Sequence, residues 1–274
     1  MKQNLMIQFV YPDYEIPDEY QKEIETIDHH KIMPQELLFE NADAIILDGC
    51  VQANLPDNFV KEGKIFVMRT TKADFFANYG KMTPLIEKAE RLNVVLTDME
   101  TFTENDFLIY RDVLDRLKDI VKEIFIQGNL PQLNMLTDRI LLDKMNNCNA
   151  GVENITLAPN GRFYLCPAFY LEDGNDAVGD LTNGIKIKNQ YLYKLANAPL
   201  CRKCDAYQCK RCIWLNRKTT REVNTPSHEQ CVAAHLERNA SRNLLIDMQH
   251  LGAWKDKSIE AIDYLDPFEK EDNF

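Results

Sequence analysis

The sequence lacks the features that mark membrane-spanning and secreted proteins. No apolar run reaches the roughly 18 residues that a transmembrane helix requires. The first residues have neither the basic flank nor the small-residue cleavage site of a secretory signal. We therefore expect a folded protein of the cytoplasm, a reducing compartment, with no membrane partner.

Positive charge is also in short supply. The chain has 32 Lys and Arg residues against 43 Asp and Glu, for a net charge of −11, which argues against a nucleic-acid partner held through its phosphates. The basic residues are nevertheless concentrated around one cysteine-rich segment, where they would suit an anionic, thiolate-ligated centre. These residues are Arg202, Lys203, Lys210, Arg211, Arg217, Lys218 and Arg221.

Residues 1–147 alternate short apolar runs, typical of strands, with amphipathic stretches, typical of helices. The predicted strands are NLMIQFV, DAIILD, KIFVMR, NVVLTD and KEIFIQ, and the predicted helices are PDEYQKEIETI, KMTPLIEKAERL and ENDFLIYRDVLDRLKDIV. This alternation predicts an α/β domain with parallel strands, either an open sheet or a partial (β/α) barrel. No glycine-rich phosphate loop follows any strand, so nucleotide binding has no support.

The sequence after Cys148 has a different pattern. NITLAPNGRFYLCP predicts a β-hairpin with Asn160-Gly161 as its turn, and HEQCVAAHLERNASRNLLIDMQHL predicts one long helix. We therefore divide the chain into three parts. These are an α/β domain (1–147), a cysteine-rich domain of hairpin, loops and helices (148–235), and a C-terminal helix with an acidic tail (236–274).

Seven of the eight cysteines lie in the second half of the chain. In a reducing compartment, thiols grouped in this way are metal ligands more often than disulfides. Structural zinc is one interpretation, with His228 or His235 as an additional ligand. Only four residues separate Cys204 from Cys209, however, whereas zinc ribbons separate their cysteine pairs by about 15–20 residues. Iron–sulfur clusters accept such compact spacing.

The order of these features resembles the SPASM domain, the C-terminal module of radical S-adenosylmethionine enzymes that mature ribosomally made peptides. The matching features are Cys148, the hairpin with Gly161-x4-Cys166, VGDL at 178–181, the quartet CRKCDAYQCKRC and Cys231. The resemblance covers about residues 148–235. Gaps of two, four and two residues separate the quartet cysteines, and each gap is equal to or shorter than the usual family spacing.

The resemblance implies two [4Fe–4S] clusters as cofactors. One would be held by Cys201, Cys204, Cys209 and Cys231, and the other by Cys148, Cys166 and Cys212. The second cluster would have an open iron or a non-cysteine fourth ligand. An open iron is thiophilic and would accept the thiolate of a substrate.

The catalytic motif of such enzymes, Cys-x3-Cys-x2-Cys after the first barrel strand, is missing. YPDYEIPDEY contains no thiol, and Cys50 is the only cysteine before Cys148. The chain therefore resembles a degenerate family member, and neither S-adenosylmethionine binding nor radical catalysis is expected from it alone. Cys50 follows a predicted strand in LDGC, and we expect a buried, inert thiol there rather than a reactive one.

The resulting hypothesis is an iron–sulfur protein of a peptide-maturation system. It would bind or modify a cysteine-containing precursor peptide, and a separate radical enzyme is the partner that could supply catalysis. The rival hypothesis is a non-catalytic peptide-binding or scaffold module with structural zinc. Aromatic residues near the cysteines could line a peptide groove, although packing is their more common role. They are Tyr164, Phe169, Tyr170 and Trp214.

Overall fold

The computed structural model describes residues 6–9, 44–50 and 65–269, which form a mixed α/β architecture. The strands are β1 Met6–Phe9, β2 Ala44–Asp48, β3 Ile65–Thr70, β4 Arg91–Leu96, β5 Asn154–Leu157, β6 Arg162–Tyr164, β7 Gly179–Asp180 and β8 Gly184–Ile185. The helices are α1 Lys72–Asn78, α2 Thr83–Lys88, α3 Glu104–Ile126, α4 Asn134–Leu141, α5 Pro167–Glu172, α6 Ile213–Thr220 and α7 His228–His250. Within these described ranges, no helix combines the length and apolar character needed to cross a membrane.

Contacts divide the chain into two compact units, and neither unit is a continuous segment. Unit 1 comprises Met1–Glu40, Asn147–Lys203 and Arg211–Pro226, and unit 2 comprises Asn41–Asn146, Cys204–Lys210 and Ser227–Phe274. This division differs from the three predicted domains, and the predicted boundary at residue 235 falls inside α7. The predicted helix over PDEYQKEIETI lies outside the described residues.

Unit 1 contains a five-stranded sheet in the order β1-β5-β6-β7-β8. Strand β1 is parallel to β5, and the other neighbours are antiparallel. The predicted hairpin is confirmed, because Leu157 pairs with Phe163 across it. Gly161 of the Asn160-Gly161 turn has a φ of 71°, a left-handed conformation that glycine adopts without strain.

A small apolar core lies within unit 1. Its buried members are Ala150, Ala158, Tyr164, Leu165, Phe169 and Ile213. Tyr164 and Phe169 are fully buried, so these two aromatic residues have the packing role rather than lining an open groove. In the VGDL segment, Gly179 must be glycine, because a Cβ atom there would collide with the carbonyl oxygen of Gly184.

Unit 2 contains a three-stranded parallel sheet in the order β2-β3-β4. Alternation along β3 buries Phe66 and Met68. Helices α1 and α2 form the crossover from β3 to β4, as the alternation of strand and helix requires. The predicted parallel sheet is therefore confirmed for three strands, whereas β1, predicted in the same domain, pairs with β5 of unit 1.

The predicted strand over KEIFIQ is wrong, because these residues form the end of helix α3. The helix begins with a capping box, in which Thr103 and Asp106 each accept a hydrogen bond from the other's backbone N–H. Leu117, Val121 and Ile124 are buried and recur at intervals of four and three residues. KEIFIQ thus continues one helical face, which a short apolar run alone does not distinguish from a strand.

Helix α7 confirms the long helix predicted from HEQCVAAHLERNASRNLLIDMQHL. Ser227 caps its N terminus by accepting a hydrogen bond from the backbone N–H of Gln230. The helix packs against α3 and α4, and Leu244, Leu245 and Met248 are buried on it. Helix α7 therefore completes the core of unit 2.

Candidate metal centres

Three of the predicted ligands that are distant in the sequence belong to unit 1. Cys148 is exposed in the loop before β5, Cys166 follows β6, and Cys212 precedes α6. A thiolate at Cys212 or at Cys148 would raise the pKa of Cys166, and a thiolate at Cys148 would raise the pKa of Cys212. The fold therefore places the three predicted ligands within electrostatic range of one another.

Backbone N–H groups surround two of these three thiols. Cys212 is the N-cap residue of α6, and its sulfur accepts a hydrogen bond from the N–H of Leu215 at 3.5 Å. The backbone N–H groups of Ala168 and Phe169, at the start of α5, face the sulfur of Cys166 and lower its pKa. Such N–H groups favour a negatively charged sulfur, which is the form that binds a metal.

Burial and mutual repulsion act in the opposite direction. Burial, followed by the negative charge of Cys212, raises the pKa of the Cys166 thiol to about 12. Burial also raises the pKa of Cys212, against the effect of the Leu215 N–H. A bound cation removes both penalties, because it replaces the lost hydration and neutralises the repulsion between thiolates. The raised pKa values argue against free reactive thiols at Cys166 and Cys212. Three thiols are also a donor set that could hold a thiophilic metal ion.

The basic residues expected around the cysteines have different roles in unit 1. Arg211 is buried, and its guanidinium donates a hydrogen bond to the carbonyl of Tyr193. Arg217 pairs with Asp176 at 2.5 Å, and its guanidinium carbon lies 4.3 Å from the centroid of the Phe169 ring. Arg217 therefore contributes to packing, while Arg211 places a positive charge inside the unit.

In unit 2, residues 204–210 lie on helix α7, and we call this segment the cysteine loop. The Sγ atom of Cys204 is 3.7 Å from Nε2 of His235. The other ring nitrogen of His235, Nδ1, is 2.9 Å from the carbonyl oxygen of Cys231. Because a carbonyl only accepts hydrogen bonds, Nδ1 carries a proton, and the neutral ring presents the lone pair of Nε2 to Cys204. Burial lowers the pKa of His235, which favours this neutral form.

Asp205 attaches the cysteine loop to α7 through a bidentate ion pair. Its carboxylate accepts hydrogen bonds from Nε and Nη2 of Arg238, both at 2.7 Å, and from Nη2 of Arg139 at 2.8 Å. Burial alone would raise the pKa of Asp205, but the hydrogen bonds from Arg238 and Arg139 outweigh it and hold this pKa at about 2. The ionised Asp205 therefore fixes the backbone next to Cys204.

Gln208 provides a second attachment near the other end of the cysteine loop. Its side-chain amide donates to the carbonyl of Ala234 at 2.6 Å and to Glu237 at 3.3 Å. The other carboxyl oxygen of Glu237 accepts a hydrogen bond from Tyr110 of α3 at 2.6 Å. Burial raises the pKa of Glu237 to about 7. Side chains at both ends of the loop thus hold it on α7.

The predicted quartet of Cys201, Cys204, Cys209 and Cys231 is divided between the units. Cys201 belongs to unit 1 and the other three belong to unit 2. Cys209 is in the cysteine loop, and Cys231 lies four residues before His235 on the same face of α7. Over the described residues, no third Cys, His, Asp or Glu ligand atom lies within 4.8 Å of both Cys204 Sγ and His235 Nε2.

One trio of side chains in the described part of the chain has ligand atoms within 4.8 Å of one another, namely His228, Asp266 and Glu269. His228 Nδ1 is 2.5 Å from Asp266 Oδ2, and His228 Nε2 is 3.6 Å from Oε1 of Glu104. Glu269 is exposed. An ion pair between His228 and its carboxylate neighbours accounts for this arrangement.

No protein-family model and no curated protein matches the chain. The interpretation of the two cysteine groups therefore depends on their geometry and on the resemblance visible in the sequence.

Sequence reasoning missed the residues that position the cysteine loop. The Asp205–Arg238 pair joins residues 33 positions apart, and no local pattern identifies it. From the sequence, His235 is expected only as an additional zinc ligand. The spacing Cys231-x3-His235 was the available signal, because residues four apart share one face of a helix.

Cys50 belongs to neither group and is a core residue of unit 2. It is fully buried, and its Sγ atom is 3.7 Å from Oγ1 of Thr70. Burial raises the pKa of the Cys50 thiol to about 11, so the protonated and unreactive form dominates at neutral pH. The expectation of a buried thiol at this position is confirmed.

Proposed function

We propose that this protein is an iron–sulfur protein of a peptide-maturation system, with a [4Fe–4S] cluster held by Cys148, Cys166 and Cys212. The observation that supports this is the assembly of three thiols from separate segments of unit 1. Burial and repulsion oppose ionisation of these thiols, and a bound cation would offset both effects. Two of the thiols also lie next to backbone N–H groups that favour the thiolate.

The rest of unit 1 supports an anionic centre. The guanidinium of Arg211 is buried in the same unit and contributes positive charge. When bound, a cluster supplies thiophilic, redox-active iron. Three cysteines leave one of its four positions without a protein thiolate, and a peptide thiol is a suitable donor for such a position. The resemblance to peptide-maturing enzymes suggests a cysteine-containing precursor peptide as this donor.

The test compares wild-type protein with the variants Cys212→Ala and Cys50→Ala, all purified anaerobically as the full chain. Iron and acid-labile sulfide are measured for each. We expect Cys212→Ala to lose the iron of this centre, because one of three ligands is removed. Cys50→Ala should keep it, because Cys50 is a buried residue of unit 2, whereas the three ligands belong to unit 1. The samples are then titrated with a cysteine-containing peptide and its serine counterpart, and the visible absorption is followed.

The outcomes separate the proposal from its rival. If the cysteine-containing peptide changes the cluster absorption and the serine counterpart does not, the result supports peptide capture through a thiol. Equal iron in Cys212→Ala and Cys50→Ala would contradict the ligand assignment. A colourless wild-type protein that contains zinc and no iron would favour the rival function, a non-catalytic peptide-binding module with structural zinc.

A further inference from the structure

One continuous segment of unit 1 carries positive charge without any acidic residue. Residues 181–203 contain five basic side chains and no Asp or Glu, in a chain whose net charge is −11. All five are exposed, and none of them forms an ion pair with another residue in the described part of the chain. We call this surface the basic strip. It consists of Lys186, Lys188, Lys194, Arg202 and Lys203.

The start of the segment is fixed from its inner side, which leaves its charges outside. Ile187 packs against the apolar core of unit 1, whereas Lys186 and Lys188 on either side of it are exposed. The backbone N–H of Lys186 donates to the carbonyl of Val178 at 2.6 Å, so the chain extends the pairing of β8 with β7 at this point. The two lysines therefore project from an ordered backbone, and a partner need not pay the entropy of ordering it.

The segment is also attached beside the cysteine trio. The side-chain amide of Gln190 donates to the carbonyl of Gly151 at 3.1 Å, and Gly151 lies three residues after the exposed Cys148. The carbonyl of Tyr193 accepts a hydrogen bond from Arg211, which immediately precedes another of the three cysteines. The backbone that carries the basic strip thus contacts the flanks of two of the three proposed cluster ligands.

Exposed apolar side chains accompany the charges. Leu181, Ile185 and Tyr191 belong to the same segment and are all exposed. Cations interspersed with apolar side chains are complementary to a peptide that combines carboxylates with apolar residues. A nucleic acid would meet the same cations, but the strongly negative net charge of the chain repels a dense polyanion.

We propose that the basic strip binds an acidic segment of the precursor peptide. This inference rests on the proposed function, since it names the surface along which that peptide lies when its thiol approaches the cluster. Attraction between the exposed charges accelerates association and weakens as salt screens it.

The test measures binding by the full chain, purified anaerobically, with fluorescence anisotropy. The probe is a fluorescein-labelled, cysteine-free peptide of repeated Glu-Leu-Glu-Ser units, and its counterpart has Gln in place of Glu. We expect Lys186→Glu/Lys188→Glu to weaken binding of the Glu peptide about tenfold, because attractive contacts become repulsive. The matched control is Lys144→Glu/Lys255→Glu, which changes the net charge equally at exposed positions of unit 2 and should bind as wild type does.

Two further measurements complete the test. Binding of the Glu peptide to wild-type protein should weaken as NaCl is added, and the Gln peptide should bind more weakly than the Glu peptide. A labelled oligouridine RNA is measured with the same proteins. Iron is determined in every sample and should be equal in the two double variants, because neither pair of lysines holds the cluster.

Several results would overturn the inference. These are no binding of the Glu peptide to wild-type protein, equal weakening in the two double variants, and equal binding of the Glu and Gln peptides. Tighter binding of the RNA that is lost in Lys186→Glu/Lys188→Glu would assign the basic strip to nucleic acid instead. A wild-type protein that binds the Glu peptide through the basic strip but contains no iron would contradict the cluster proposal alone.

Discussion

Arg238 connects three parts of unit 2 through one buried side chain. It belongs to α7, binds both carboxylate oxygens of Asp205, and donates to the carbonyl of Glu260 at 2.8 Å. The residue is 1% exposed, and an unpaired charge in such a place costs several kcal/mol of desolvation. The cysteine loop and the segment after α7 therefore depend on the same guanidinium.

We expect Arg238→Met to lower the free energy of unfolding by about 3 kcal/mol, because it leaves the Asp205 carboxylate without its main partner. Arg242→Met is the matched control on the same helix. Arg242 donates one hydrogen bond to the carbonyl of Ile259 at 3.1 Å, so its loss should cost about 1 kcal/mol or less. Chemical denaturation measures both values, and similar losses in the two variants would contradict the role of the Asp205–Arg238 pair.

At the residue scale, the sequence reveals ligands more readily than the residues that position them. Grouped cysteines such as Cys204 and Cys209 stand out, because their close spacing has a limited set of explanations. His235 carries a weaker signal, namely its helical spacing from Cys231. Asp205 carries none, because a carboxylate next to a cysteine is ordinary and its partner is known only once the chain has folded.

At the scale of elements, the start of α7 is joined to the segment that follows the helix by a charged contact. His228 Nδ1 is 2.5 Å from Oδ2 of Asp266. The carboxylates of Glu104 and Glu229 also favour a positive charge on the His228 ring. The Phe107 ring packs against the edge of the imidazole. Burial alone would lower the pKa of His228, but the hydrogen bond and charge of Asp266, with the other carboxylates, outweigh it and raise the pKa.

This raised pKa predicts a dependence of stability on pH. The stabilising contribution is complete below the ordinary histidine pKa of about 6.5 and is lost as the pH rises through the higher folded-state pKa. Relative to His228→Gln, wild-type protein should therefore lose stability between about pH 6 and pH 8. The loss should be under about 1 kcal/mol, because the His228 side chain is 40% exposed.

Urea unfolding at the two pH values measures this difference. His250→Gln, at the opposite end of α7, is the control for removal of a histidine from this helix. A stability difference between wild type and His228→Gln that does not change with pH would show that the contact is independent of charge.

Elements whose determinants are local could be predicted, and pairings between distant segments could not. Asn160-Gly161 identifies its hairpin, because few residues tolerate the turn conformation. The end of α3 was mistaken for a strand, because KEIFIQ is too short to show its period by itself. The partner of β1 was also missed. A four-residue strand contains no information about whether β5 or a strand of the other sheet lies beside it.

At the scale of the whole molecule, the core of unit 2 depends on residues from distant parts of the chain. Helices α3 and α4 precede residue 147, whereas α7, which packs against both, begins at His228. The segment 1–147, which the sequence suggested as an independent domain, therefore lacks a helix that covers its apolar side chains.

We expect a fragment of residues 1–147 to show no cooperative thermal unfolding by circular dichroism. In the fragment, each large apolar side chain that α7 would have covered loses about 1.5–3 kcal/mol of stabilising free energy from burial. A few such losses equal the total stability of about 5–15 kcal/mol typical of a domain. The full chain is the control and should unfold cooperatively. A sharp transition in the fragment would show that α7 is dispensable for this core.

The late position of α7 also has a consequence during protein synthesis. At about 5–20 residues per second, roughly 6 to 25 s separate the translation of Ile126, the last residue of α3, from that of His250, the last residue of α7. Throughout this interval the nascent chain presents the apolar face of α3 without its helical partner. Unit 2 can therefore complete its core only after residues up to His250 have been synthesised.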